Sequence, residues 1–297
     1  MRKPASAATL AGCGAIGLWA FLALLSRAAS GLPPLELTAL SFAVSGAAGL
    51  AFLAVTGRAR ELQQPPLVWA HGVGGLFLYH ALYFAAFARA PAAAVNLVNY
   101  MWPLLIVLLS GAVLGLRLSW LHIVGTGLAL AGCAALLGGG VVAAPGAGLG
   151  YALAVGAALT WAVYSVLSRR LQAVPLGAMA GFCAATAVLA GVLHLVSETT
   201  VTPGTGDWAM VALMGFGPLG AAFVLWDVGM KRGDPRLLGT LAFATPVLST
   251  LLLAAGGYVT LSATVLAAAA LVAAGGLVAA FNPAPIRERK CPPSCKI

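Results

Sequence analysis

The sequence has 297 residues, of which 61% are hydrophobic and 8% charged, with a mean hydropathy of +1.00 and a formal net charge of +9. A chain this apolar cannot cover its own surface with polar groups, so soluble enzymes, secreted disulfide scaffolds and disordered regulators are excluded and lipid is its solvent. The 16 basic residues form no basic amphipathic face, which sets nucleic acid aside as a partner.

Ten apolar runs long enough to span a bilayer follow one another, at 9–29, 34–56, 67–88, 92–115, 120–140, 148–168, 175–197, 208–230, 236–257 and 262–281. The first has a lipoprotein-like box, Leu10-Ala11-Gly12-Cys13, but the apolar stretch before Cys13 is too short for a signal peptide, so a retained helix is expected. Short connectors should pack each helix against its sequence neighbour. With the N-terminus in the cytoplasm, 14 basic residues fall inside and two, Arg27 and Arg89, outside. The positive-inside rule therefore favours ten spans with both ends cytoplasmic. Cys13, Cys133 and Cys183 lie in apolar runs, where thiols act as small hydrophobes. Cys291 and Cys295 read as a reduced polar tail, and neither a metal site nor a cofactor is expected.

The two halves match at a nearly constant offset. Trp19 answers Trp161, and Ser26-Arg27 answers Ser168-Arg169, at +142. Gly72-x-Gly74-Gly75 answers Gly215-x-Gly217-Pro218 at +143, and Tyr83 answers Trp226, Pro103 answers Pro246, and Gly132 answers Gly275 at the same step. A repeat of five helices must enter the membrane upside down, and inverted repeats are a mark of secondary transporters. The expected organisation is an all-α membrane protein with an N-terminal repeat over 1–145, an inverted C-terminal repeat over 146–285 and a cytoplasmic tail over 286–297.

These features carry a resemblance. Two five-helix repeats, the prolines Pro103 and Pro246, and the Gly115-x-x-Leu118-Ser119 ending resemble the EamA-like drug/metabolite transporter superfamily. Tyr79-His80-x-x-Tyr83 and Asn96-x-x-Asn99-Tyr100-x-Trp102-Pro103 look like the YddG-type exporters of aromatic amino acids within it. An acidic residue often found after the helix 4 glycine in that superfamily is replaced here by Leu116 and Arg117. The resemblance implies a bacterial inner-membrane exporter.

Depth then separates work from anchoring. Trp69, Trp120, Tyr151, Trp208 and Tyr258 fall at span ends, where aromatic belts sit, and His71, His122 and His194 are read as interfacial as well. Trp19, Trp102 and Trp161 fall near the middle of their spans, where an indole N–H needs a partner; core packing and a cavity wall are both open for each. Tyr79 and Tyr83 share one face, with His80 beside them near the midplane, either as a substrate ligand or as a structural histidine. Asn96, Asn99 and Pro103 share a face, and Pro103 frees the Asn99 carbonyl. Trp161, Tyr164, Ser165 and Ser168 line up on one helix side, although serines often bond back to their own helix. Asp227 is one turn before Lys231 and is expected to pair with it at the cytoplasmic interface.

The expected substrate site is Trp19, Tyr79, His80, Tyr83, Asn99, Tyr100, Trp102, Trp161, Tyr164 and Ser165, with Pro103, Pro218, Pro246 and Trp226 as hinges or gates. Tyr83 is assigned to the outer closure and Trp226 to the inner. A zwitterionic amino acid would find donors and acceptors at Asn99, His80 and the tyrosine hydroxyls, and an aromatic wall for its side chain. The partners are thus a small-molecule substrate and the lipid bilayer; no phosphate loop calls for an ATPase subunit. Two rivals are a transporter of another small solute and an intramembrane hydrolase. Against the hydrolase, neither G-x-S-x-G nor H-E-x-x-H is present.

Overall fold

The computed structural model describes residues 3–29, 31–136, 146–258 and 260–280, and no strand occurs among them. Among the described residues eight helical stretches are long and apolar enough to cross a membrane, the first at Ala7–Ala28 and the last at Ala263–Ala280, and two shorter apolar helices join them. The chain is an all-helical, multi-pass membrane protein. The predicted tail with Cys291 and Cys295, and the end of the predicted span 120–140, lie outside the described residues.

The helices in chain order are α1 (Lys3–Ala20), α2 (Leu22–Ala28), α3 (Pro34–Val55), α4 (Pro66–Val73), α5 (Tyr79–Phe87), α6 (Ala92–Asn99), α7 (Trp102–Leu114) and α8 (Trp120–Leu136). They continue as α9 (Gly148–Ser168), α10 (Ala178–Ser197), α11 (Thr205–Phe216), α12 (Ala222–Arg232), α13 (Pro235–Leu241), α14 (Ala244–Ala255) and α15 (Ala263–Ala280). Prolines sit in the first turn of α3, α4 and α13, where the missing N–H costs nothing. The α7 helix stops at Gly115, whose φ of 65° needs the left-handed region, and Leu116 N–H closes back on the Ser110 carbonyl at 3.2 Å.

Several predicted spans are not straight helices. A five-residue π segment, Gly74–Leu78, joins α4 to α5, and another, Gly217–Ala221, joins α11 to α12. Gly74 to Gly217 is a step of 143 residues. The predicted helix 92–115 is broken between Asn99 and Trp102, and its counterpart is broken between Leu241 and Ala244. The cause is local. Proline has no N–H to give the carbonyl four residues back, and its ring crowds that turn, so Pro103 and Pro246 leave the Asn99 and Ala242 carbonyls without the usual donor.

The packing joins the two halves of the chain rather than stacking each on itself. The α3 helix lies on α10, α8 on α15, α1 on α12 and α5 on α9, while α7 touches both α9 and α13. At the α8–α15 crossing a Cβ on Gly125 would stand 2.5 Å from the Gly275 carbonyl oxygen, and one on Gly275 would meet the Gly125 carbonyl. Only glycine at both positions lets these backbones touch. Where α3 meets α10, a Cβ on Gly46 would lie 2.7 Å from the Ala184 backbone nitrogen.

Candidate functional site

Where α1, α7, α9 and α12 converge, four tryptophans meet. Trp19, Trp102, Trp161 and Trp226 contact one another in every pairwise combination, with ring centroids from 5.1 to 6.4 Å apart. Most of these contacts are edge-to-face, the geometry that the positive edge and negative face of an aromatic ring favour. The two indoles with assigned hydrogen bonds reach across the halves. Trp19 Nε1 donates to the Pro218 carbonyl at 3.0 Å, inside the π segment where the helical turn is widened. Trp226 Nε1 donates to Ser165 Oγ at 3.0 Å. The sequence placed Trp226 at the inner closure; the structure puts its ring against all three other indoles.

A second wall comes from the π segment Gly74–Leu78 and α5. Tyr79 lies 5.5 Å from Trp161 and stacks on Tyr83 at 5.7 Å. His80 Nδ1 is 2.7 Å from the Leu76 carbonyl; a carbonyl only accepts, so Nδ1 carries the proton and Nε2 is left as an acceptor in the neutral ring. The two polar faces read from the sequence meet each other. Tyr83 hydroxyl donates to Asn96 Oδ1, and Asn99 Nδ2 donates to Tyr79 Oη at 3.1 Å. Asn99 is buried, yet its Oδ1 has no partner among the described residues.

Two residues the sequence reasoning passed over complete this group. Phe42 in α3 stacks on Phe223 in α12 at 5.7 Å and meets His80 edge-on at 5.3 Å. Phe223 in turn lies 5.7 Å from Trp161. Phe42 is mid-span in a helix assigned no part in the site, and Phe223 is one turn from Trp226; only the spacing of Phe223 offered a signal. Tyr100, expected at the site, packs beside Leu104 and Phe243 in a core with Cys133 and Val247, within electrostatic reach of Tyr79 and Tyr83. The break after Asn99 turns its side chain toward α8 and α14 while Trp102 stays with the indoles.

Below the indoles lies a polar group that the sequence assigned to an interface. Lys231 Nζ is 2.7 Å from Asp227 Oδ2, both side chains are under a tenth exposed, and Lys231 also donates to the Val174 carbonyl at 3.0 Å. The pairing is the expected one, and the pair is buried within the protein. Arg169 Nη1 reaches the Lys231 and Gly233 carbonyls at 3.1 and 2.8 Å. His71, expected at the interface, stacks on Tyr164 at 4.8 Å and stands 3.2 Å from Ser168 Oγ. Ser168 gives its own proton to the Tyr164 carbonyl, so His71 Nε2 is the donor to Ser168. These side chains and Asp227 line a small pocket with room for about one water.

Beyond Arg232, Asp234 caps α13, accepting from Arg236 N–H and holding its guanidinium through both carboxylate oxygens at 3.0 and 2.8 Å. Burial opposes ionisation of this carboxyl, but the hydrogen bonds and charge of Arg236 with two backbone N–H groups outweigh it and hold the pKa below the usual value. At the other end, His194, also expected at an interface, is buried between two carboxylates, 2.9 Å from Glu198 and 3.9 Å from Glu36. Glu198 caps α3, taking the Leu35 and Glu36 N–H groups at 3.1 and 3.2 Å. His122 is buried too, with Ser119 N–H donating to its Nδ1 at 3.2 Å. Trp120, Trp208 and Tyr258 are exposed as belt residues should be, whereas Trp69 packs edge-on to Phe182 at 5.3 Å. No group of three or more metal-binding side chains occurs among the described residues.

Known proteins share both the sequence and this architecture. The model of the EamA-like transporter family matches the chain twice, over residues 6–138 and 148–281. A protein of Ancylobacter novellus described as aromatic amino acid exporter YddG is 48% identical over 280 residues, covering 93% of this chain and 98% of its own. Proteins of the same description from Salmonella typhimurium and Escherichia coli are each 28% identical over 83% of this chain and 87% of their own. A solved crystal structure superposes with a TM-score of 0.88 at 47% identity, over 92% of this chain and 97% of that one. The chain belongs to the EamA-like transporter family.

Proposed function

We propose that this member of the EamA-like transporter family exports amino acids, aromatic ones first with a broad neutral range, as a secondary transporter working by alternating access. The observation that carries the reading is the aromatic group at the meeting of the halves. Four indoles in mutual contact, flanked by Tyr79, Tyr83 and His80, offer ring faces and edges to an aromatic side chain. Polar groups are concentrated at the broken helix beside them, where Asn96 and Asn99 bond the two tyrosines. That combination suits a zwitterion with an apolar side chain. The relatives' shared description as exporters of aromatic amino acids supports both the substrate class and the direction.

The organisation proposed is ten helices in two inverted five-helix repeats, over 1–145 and 146–285, with the tail 286–297 and both termini cytoplasmic, in a bacterial inner membrane. Three facts support it. The family model matches once in each half. The π segments start 143 residues apart, at Gly74 and Gly217, and the helix breaks fall at matching places. Placed on this topology, 14 of the 16 basic residues fall on the cytoplasmic side, as the positive-inside rule expects. In this frame Trp19, Trp102, Trp161, Tyr79, Tyr83, Tyr100, His80, Asn99, Tyr164 and Ser165 contact or surround the substrate. Pro103, Pro246 and Pro218 mark hinges, and Trp226 joins the substrate wall to the cytoplasmic closure.

The test is flux. Proteoliposomes loaded with labelled phenylalanine or tryptophan should release either faster than empty vesicles, and a parallel series with an imposed proton gradient reports the driving force. Trp102→Ala should abolish most of that release. No movement of any amino acid, together with an unaltered Trp102→Ala flux for whatever solute does move, overturns the assignment.

A further inference from the structure

The amide of Asn99 is an unfinished contact in the candidate site. Its Nδ2 is engaged with Tyr79 Oη at 3.1 Å, which fixes the amide plane and aims Oδ1 the other way. That oxygen is buried and accepts nothing among the described residues. Leaving a buried acceptor unmade is costly, and native proteins keep such groups where a partner arrives later. The same residue carries a second acceptor without its usual helical donor, because its backbone carbonyl precedes Pro103 by four residues and proline has no N–H to offer it. The matching amide at Asn96 is already used, taking the Tyr83 hydroxyl. No lysine or arginine is bonded to either asparagine, so the missing donor is not supplied by a charge of the described chain.

We propose that Asn99 recognises the α-ammonium group of the substrate, with Oδ1 and the freed main-chain carbonyl as its acceptors, and that this contact separates amino acids from aromatic acids lacking the amine. The proposal rests on the amino-acid reading above. An ammonium has three N–H donors and no acceptor, so two acceptor oxygens on one residue suit it and repel a carboxylate. Asn99 lies one turn before Trp102 across the helix break, and Tyr79, its other partner, contacts Trp161. An ammonium held there leaves the side chain of the same molecule facing the indoles. Tyr79 is then a positioning residue, since it holds the amide in the orientation that presents Oδ1.

Binding to the purified full-length protein decides the matter, with L-phenylalanine, 3-phenylpropionate and phenethylamine as probes. Wild-type protein should prefer phenylalanine to 3-phenylpropionate by about ten- to a hundred-fold, the value of one or two hydrogen bonds to a charged group. Asn99→Leu should weaken phenylalanine by that factor and leave 3-phenylpropionate unchanged. Asn99→Asp, which keeps the volume and adds a negative charge, should tighten phenethylamine relative to wild type, and it carries the test if the leucine variant does not fold. Equal weakening of phenylalanine and 3-phenylpropionate by Asn99→Leu, or no gain for phenethylamine in Asn99→Asp, overturns the ammonium assignment alone. Failure of wild-type protein to bind phenylalanine at all overturns the amino-acid reading and this proposal with it.

Discussion

The two ends of the aromatic group are built from matching stretches of chain and closed by different chemistry. At one end stand Asp227 and Lys231, a buried ion pair tied further to the Val174 carbonyl, with Arg169 holding the Lys231 and Gly233 carbonyls. A step of 143 residues back from Asp227 and Lys231 leads to Phe84 and Ala88, and a step of 142 from Arg169 leads to Arg27. There the chain offers Tyr83, Phe87, Val95 and Ala154 in apolar contact, and Arg27 lies over the exposed ring of Tyr258. The backbone plan is shared; the side chains that hold each end are not. In the proposed topology the charged end faces the cytoplasm. Opening it means separating buried charges and main-chain bonds beside the indoles, whereas the contacts at Tyr83 and Phe87 are mainly ring and methyl contacts, the carboxylates around His194 lying on the α3–α10 pair instead.

The sharpest way to break this contrast is at the pair itself. Lys231→Met strands Asp227 in a buried site and should cost roughly 3–5 kcal/mol, seen as a large fall in thermal stability in detergent. The double variant Asp227→Leu with Lys231→Met should recover most of that loss while leaving the cytoplasmic end easier to open, which single-molecule distance measurements would detect. A double variant as unstable as the single one would mean the charges are not acting as a pair. Next in size is Arg169→Met, which removes two charge-assisted bonds to carbonyls and should cost about 2–3 kcal/mol in the same melting assay. At the opposite end Tyr83→Phe deletes only the bond to Asn96, a loss of about 1 kcal/mol. If it proves as damaging as Lys231→Met, the asymmetry is wrong.

The smallest effect concerns acid. Asp234 has a folded pKa held below its unfolded value, so its stabilising contribution is complete above about pH 5 and is lost as pH falls through the unfolded and then the folded value. Arg236→Gln removes the partner that sustains this shift. Beyond the general loss from breaking a buried ion pair, the variant should show a flatter decline between about pH 5 and 3 than wild type. Melting temperature against pH in buffers of matched ionic strength would show the difference.

Helix positions were legible because hydropathy in a membrane protein is close to a one-dimensional code. Pro34–Val55 and Gly148–Ser168 lie within a residue of the runs read from sequence. The breaks were half legible. Pro103 marks a disrupted turn, but only the packing of α7 on α9 and α13 decides which of Tyr100 and Trp102 joins the indoles. Burial of polar side chains was the least legible, because spacing along one helix says nothing about what the other half of the chain places over it. Asp227 with Lys231, and His194 between Glu36 and Glu198, lie near helix ends yet are covered by residues more than 50 positions away. The site asparagines could be picked out because so few polar residues remain in these spans; their pairing with Tyr79 and Tyr83 needed the fold.

Four of the seven tryptophans in this chain sit in one contact group, and the Trp19 indole is anchored on a carbonyl of the opposite half. Rings this close share their electronic transitions, so the protein carries a built-in optical reporter. A ligand such as phenylalanine, which does not absorb where tryptophan does, would change the near-ultraviolet dichroism and emission by parting the rings. A shift of the halves that pulls Trp19 from Pro218 would alter the indole's polarity at the same moment. Loading and rocking of the molecule thus become readable without a label.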